Sequence, residues 1–448
     1  VYSTINVKVM NKLSPFYKNK IEISASEYSE SYERMIKKLV INYKKPVIKK
    51  NLTRTTTGGY DLLIITRDDC INEAIRLKNH KNREIKHGGK TIKPIISTEV
   101  VTLSQIKARQ NITGNLTAVD IRYYINEKVY EVYNAQLKYI ILMGDVHSIP
   151  TFYGNGIATD LYYGMMDLTK RPGDTYELYL PEIIVGRLPL DDISNQDSTS
   201  AVAEAKYFVD RIENYESKTV FGLSNNKVLF TYQDDSDKND NKEIKDRITN
   251  FGSKLLNNTI EGKLSTDYSE INQELQIGQK VIFYHGHGDV FNPEDVDARV
   301  RNFNSQSQPL ILHVTCQTGH FDYTNYNLNS FSYGEYVLKK LFEPNFDTNK
   351  KAIGFIGGSR DLHFTLAEEI LRGFVESLNQ NPVKIGDILN GARLEILSAY
   401  AGGNYLANEH FELLNLLGDP TIEIKFCDPR PFAPNSCIQC TSGSCPNN

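Results

Sequence analysis

Short apolar runs recur along this chain at 60–66, 139–143, 181–187, 227–232, 281–284, 310–314 and 352–356. Each is too short for a helix and is bounded by turn residues, so each predicts a buried strand. A further strand is expected at 93–96. Between the runs, apolar positions return at helical spacing at 70–79, 118–131, 199–215, 242–256, 334–342, 366–378 and 384–400. The last elements are 411–417 and a strand at 421–424, around the turn Gly418-Asp419-Pro420. Strands alternating with helices predict an α/β fold with a mostly parallel sheet flanked by helices on both faces.

The alternation falls into two consecutive α/β subdomains, 58–218 and 219–425. Residues 1–57 are different in kind. They hold strand-like stretches at 1–10 and 21–24, a short amphipathic stretch at 32–43, and a basic, Thr-rich segment that ends at Gly58-Gly59. Two readings stand: a propeptide, or a small β-rich packing domain. Residues 426–448 are rich in Pro, Asn, Ser and Gly, and carry Cys427, Cys437, Cys440 and Cys445. That tail reads as the start of a disulfide-stapled extracellular module, with a zinc knuckle at Cys437 and Cys440 as the other reading.

Composition narrows the class. With 448 residues, a net charge of −4 and a pI near 6.2, no general attraction to nucleic acid is expected. No apolar run approaches the roughly 20 residues that span a bilayer. The chain opens on Val1, not Met, so any signal peptide lies outside this sequence. Sequons at Asn51, Asn111, Asn115 and Asn257 fit a secreted glycoprotein. The expected location is extracellular or at the cell surface, with attachment beyond the Cys-rich tail.

The densest chemistry lies between Val281 and Asp322. One predicted strand delivers His287 in Gly286-His287-Gly288, and the next delivers Cys316 before a turn-like Gln317-Thr318-Gly319. In open parallel sheets ligands bind beyond the carboxyl ends of the strands. A thiolate there is a nucleophile, an imidazole beside it is its base and later its acid, and backbone N–H groups hold the oxyanion. The amides of Gly288 and Cys316 are candidate oxyanion donors. Taken singly, a Cys after an apolar strand is most often a small buried hydrophobe, and a His between glycines is often structural. The set His285, His287, His313, Cys316 and His320 also has zinc-ligand chemistry, but its spacing matches no finger or metallohydrolase pattern. His285 and His313 therefore read as packed strand residues, and no metal is assigned.

Six pieces, in order, carry a resemblance. They are Tyr139-Ile-Ile-Leu-Met-Gly-Asp-Val-His-Ser-Ile-Pro150, Thr159-Asp-Leu-Tyr-Tyr-Gly164, Ile184-Val-Gly-Arg187, Tyr284-His-Gly-His-Gly288, Val314-Thr-Cys-Gln-Thr-Gly-His-Phe321 and Leu417-Gly-Asp-Pro-Thr421. Through most of 60–425 the chain resembles the gingipain-type cysteine peptidases, of the same clan as caspases and legumain. The resemblance implies two caspase-like α/β subdomains and a secreted cysteine endopeptidase made as a zymogen, acting on proteins or peptides without a required cofactor. It makes Cys316 the nucleophile and His287 the general base and acid. It places an acid near the histidine, at Asp235 or Asp234, and an acid for a basic P1 side chain further along, at Asp237 or Asp240. Gln317 and His363 are expected to border the substrate.

Where relatives carry a Trp on the S1 wall, this chain has Ser359-Arg360-Asp361-Leu362-His363, and Arg360 there would repel a basic side chain. The resemblance also implies structural calcium. Asp145, Asp160 and Asp167 have suitable oxygen chemistry, and capping or turn roles explain them equally. Two other functions share the scaffold: a non-catalytic binding or adhesion protein, and a secretion-associated processing transpeptidase that passes the acyl group to another nucleophile.

Overall fold

A computed structural model describes residues 59–87, 90–131, 137–173, 180–190, 198–217, 227–232, 246, 261–265, 268–290, 308–323, 331–339, 351–380, 382–401 and 407–426. The prefix 1–57, the acidic loop 233–245, nearly all of the expected helix 242–256 and the tail cysteines lie outside them.

The first half runs β1 (Leu62–Thr66), α1 (Ile71–Lys81), β2 (Ile85–His87), β3 (Lys90–Lys93), β4 (Thr98–Thr102), α2 (Leu103–Gln110), α3 (Ala118–Glu131) and β5 (Tyr139–Met143). A small hairpin of β6 (Phe152–Gly154) and β7 (Ile157–Thr159) follows, then β8 (Ile184–Leu188) and α4 (Ser198–Ser217). The second half runs β9 (Lys227–Tyr232), β10 (Glu261–Ser265), α5 (Tyr268–Ile277), β11 (Val281–His285), β12 (Leu310–Val314), α6 (Tyr333–Tyr336) and β13 (Gly354–Gly358). It closes with α7 (Ala367–Leu378), β14 (Val383–Lys384), α8 (Ile385–Ala401), α9 (Ala407–Leu413), β15 (Leu414–Gly418) and β16 (Glu423–Ile424).

Ten strands form one mixed sheet in the order β10-β9-β11-β12-β13-β15-β8-β5-β1-β4. The pairings outward from β13 to β10 and from β8 to β4 are parallel, whereas β13 and β15 are antiparallel. Strands β1, β5, β8, β11, β12, β13 and β15 are buried at every position. That is why they read as largely apolar runs: helices cover both faces of such a sheet. α7 and α8 cross where Gly373 and Gly391 meet. A Cβ on Gly391 would lie 1.9 Å from Ser377 Oγ, and one on Gly373 would lie 2.4 Å from Gly391 O.

Several boundaries differ from the expectation. No strand forms at 93–96: Lys93 closes the β2–β3 hairpin, Pro94 has no N–H to pair, and the sheet strand starts at Thr98. The buried Lys93 ammonium donates instead to the carbonyls of Lys81, Arg83 and Pro94. The run 352–356 pairs as Gly354–Gly358, because Gly357 and Gly358 carry the ladder on to Asn415 and Leu414. The stretch 411–417 is divided between the end of α9 and β15. Thr421 does not extend the last strand, since its N–H and hydroxyl both bond to Asp419 Oδ1 in a turn. β10 and α5 had no counterpart in the pattern. Of the helix expected at 334–342, the described residues show one turn, α6, capped by Ser332 and Glu335.

Candidate active site

β11 and β12 are adjacent, parallel and in register, with Val281 opposite Leu310 and His285 opposite Val314. The offset is 310 − 281 = 29 residues. His287 and Cys316 are separated by the same 316 − 287 = 29. Each lies two residues beyond the last registered pair, His285 and Val314. The two predicted residues are thus brought to the same end of two adjacent strands. His287 is exposed, and Cys316 is half-buried and not in a disulfide.

The backbone around them is tightly fitted. The Tyr284 hydroxyl, on β11, donates to the carbonyl of His287 (2.6 Å). Gly288 sits so close to the end of β12 that a Cβ there would lie 2.6 Å from Thr315 Oγ1. It would also lie 3.1 Å from Cys316 O and from Thr318 Cγ2. After Cys316 the chain turns sharply: Thr318 N donates to Cys316 O (2.7 Å), His320 N donates to Gln317 O (3.0 Å), and Gln317 has a φ of 52°.

The other histidines serve elsewhere. His285 is buried, and its Nδ1 donates to Val314 O (2.9 Å). His313 is stacked on Tyr333, edge-on to Phe355, and burial pushes its pKa down to about 3, so it is a neutral packing residue. His320 is also shifted down, by burial first and then by the Arg360 charge. Among the described residues, no group of three or more His, Cys, Asp or Glu side chains is arranged to hold a metal.

The carboxylates considered for calcium are engaged separately. Asp160 forks onto the fully buried Arg187, at 2.7 Å for each contact, and also accepts from Thr151 (2.9 Å). Asp145 accepts from Val146 N (2.6 Å), and Asp167 from both Thr169 N and its hydroxyl. Arg187 donates further to the carbonyls of Gly144 and Ile149. The Thr159-Asp160 and Gly186-Arg187 pieces thus meet as one buried ion pair, which ties the loop after β5 to β8.

The loop after β13 forms the other border of the site. Arg360 is not a loose charge. Its guanidinium forks onto Asp322 (2.7 Å and 2.7 Å), and its Nε donates to Gly156 O of the β6–β7 hairpin (2.9 Å). Ser359 Oγ donates to Ala158 O (2.7 Å) in the same hairpin. Asp361 accepts from Gln317 Nε2 (2.6 Å), and the Cys316 thiol donates to Leu362 O (3.6 Å). His363 is exposed, and its N–H donates to His410 Nε2. The sequence pattern missed these loop contacts; the signal available was Ser359-Arg360-Asp361 directly after an apolar strand. Asp234, Asp235, Asp237 and Asp240 lie outside the described residues.

No helix among the described residues is long and apolar enough to cross a membrane. Among curated proteins, none matches this chain. Solved structures do. The Arg-specific cysteine proteinase gingipain R superposes with a TM-score of 0.59 at 17% identity, over 82% of this chain and 78% of its own. The complex of Porphyromonas gingivalis RgpB pro- and mature domains gives a TM-score of 0.60 at 17% identity, over 81% of this chain and 79% of its own. A structure described only as a protease gives 0.63 at 18%, over 81% and 78%. At such identities the likeness establishes the fold, a caspase-like α/β arrangement. The family match is more specific: it covers residues 55–425, so this chain belongs to peptidase family C25 and is a cysteine-type peptidase that acts on protein substrates.

Proposed function

We propose that the protein is a secreted cysteine endopeptidase that works through a Cys316–His287 dyad. The observation that carries this reading is the shared 29-residue offset, by which His287 and Cys316 each follow, by two residues, the end of one of two adjacent buried parallel strands. In the resting state the thiol rests on Leu362 O. Rotation about its χ1 turns Sγ toward the cleft, and His287 takes the proton. The thiolate attacks the scissile carbonyl carbon, and the tetrahedral oxyanion is held by the amides of Gly288 and Cys316.

His287 then gives its proton to the leaving amine as the C–N bond breaks, which leaves a thioacyl-enzyme. Water, deprotonated by His287, releases the acid and regenerates the thiol. Asp235 or Asp234 orients the imidazole. Asp237 or Asp240 receives a basic P1 side chain, with Gln317 and His363 along the border. The bidentate Asp322 contact supports this preference, since it balances the Arg360 charge beside the cleft. The test is a peptide-library cleavage profile of the wild type beside Cys316→Ala and His287→Ala. The expected result is cleavage after Arg or Lys that both variants lose. Cleavage by the variants would remove the dyad, and a flat P1 profile would remove the acidic pocket.

A further inference from the structure

Gln317, the residue after the nucleophile, has a φ of 52°. Only glycine takes that left-handed region freely, and Gln held there is strained by about 1–2 kcal/mol. The strain persists only where surroundings enforce it. Here three consecutive residues of the loop after β13 do so. Arg360 O accepts from Gln317 N (3.1 Å), Asp361 Oδ1 accepts from Gln317 Nε2 (2.6 Å), and Leu362 O accepts from the Cys316 thiol (3.6 Å). Two residues after Gln317, Gly319 N donates to Gly358 O (2.9 Å). The loop is itself pinned from behind, by Arg360 on Asp322 and Gly156 O. The side-chain bond from Asp361 is the one link of this template that is exposed and replaceable without touching the core.

We infer that Asp361 is a positioning residue: by holding the Gln317 side chain it keeps the turn wound and aims Cys316 Sγ at the reacting carbonyl. This rests on the reading of Cys316 as the nucleophile. It assigns Asp361 a role distinct from binding a substrate charge, because the carboxylate acts as a hydrogen-bond acceptor, which an amide oxygen can replace.

The test follows alkylation of Cys316 by iodoacetamide, located by peptide mass spectrometry, alongside kcat and KM on one peptide substrate. Asp361→Ala is expected to slow alkylation and lower kcat about tenfold, with KM within twofold and the melting temperature nearly unchanged. Asp361→Asn, which keeps an acceptor oxygen, is expected to recover the rate to within about threefold. In a Gln317→Gly background, where φ near 52° carries no strain, Asp361→Ala is expected to have less than a twofold effect.

Three results would overturn the inference: an unchanged alkylation rate in Asp361→Ala, an equal loss in Asn and Ala variants confined to KM, or the same loss in both backgrounds. Failure of the dyad itself reads out separately, as a wild-type alkylation rate no faster than that of His287→Ala.

Discussion

Gly288→Ala probes the fit between the two strand ends. The new Cβ would lie 2.6 Å from Thr315 Oγ1, which is 3.4 − 2.6 = 0.8 Å inside ordinary contact. Cys316 O and Thr318 Cγ2, at 3.1 Å, close the other directions. The strand end can yield only by moving away from the nucleophile turn. Overpacking of this kind costs about 1–3 kcal/mol of stability. A displacement near 1 Å between catalytic groups costs on the order of 100-fold in rate, about 2.7 kcal/mol. The variant should therefore fold, melt a few degrees lower, and lose about 100-fold in kcat/KM on a fluorogenic peptide. Thr315→Ala removes the nearest atom, so the double variant should regain at least a third of that loss on a logarithmic scale. A folded Gly288→Ala protein with at least half of the wild-type kcat/KM would refute the reasoning.

Asp160→Asn should lower stability by about 3–5 kcal/mol, because it leaves the fully buried Arg187 without its carboxylate partner; a urea titration reads this, and a change under 1 kcal/mol would contradict it. Glu216 lies between His80 and the buried Lys81; burial works against its charge, but those two partners outweigh it and hold its pKa down to about 2. A depressed carboxylate contributes stability that is fully present above its unfolded value near 4.5 and is lost as pH falls toward 2. The stability-versus-pH curve should therefore drop by about 3 kcal/mol over that window, and Glu216→Gln should flatten the drop. Gly391→Ala should force α7 and α8 apart at Ser377 and destabilise by at least about 2 kcal/mol, read as a lowered melting temperature; an unchanged midpoint would count against the close crossing.

The parts of this molecule that were legible in the sequence are those with a local cause. β5 and β12 are apolar runs bounded by turns, and the structure keeps their bounds. β4 was not legible, because Thr98-Glu99-Val100-Val101-Thr102 lies at the sheet edge with half-exposed positions, and the apolar pair Ile95-Ile96 just after Pro94 gives the stronger local strand pattern. The run 411–417 is apolar except at Glu412 and Asn415, and periodicity alone cannot show that it changes from helix to strand at Leu414. In the site, His287 and Cys316 were visible because each ends an apolar run. The contacts of Arg360 with Asp322 and of Asp361 with Gln317 join residues 38 and 44 apart in the chain. They follow from the sheet order, which places the loop after β13 beside the loop after β12.

The central claim is that His287 activates Cys316. A peptidyl acyloxymethyl ketone at neutral pH, with the modified residue located by mass spectrometry, measures this directly. The account predicts rapid labelling of Cys316 in the wild type, none in Cys316→Ala, and labelling slowed at least 100-fold in His287→Ala. Equal labelling of the wild type and His287→Ala, or attachment at another residue, would contradict it.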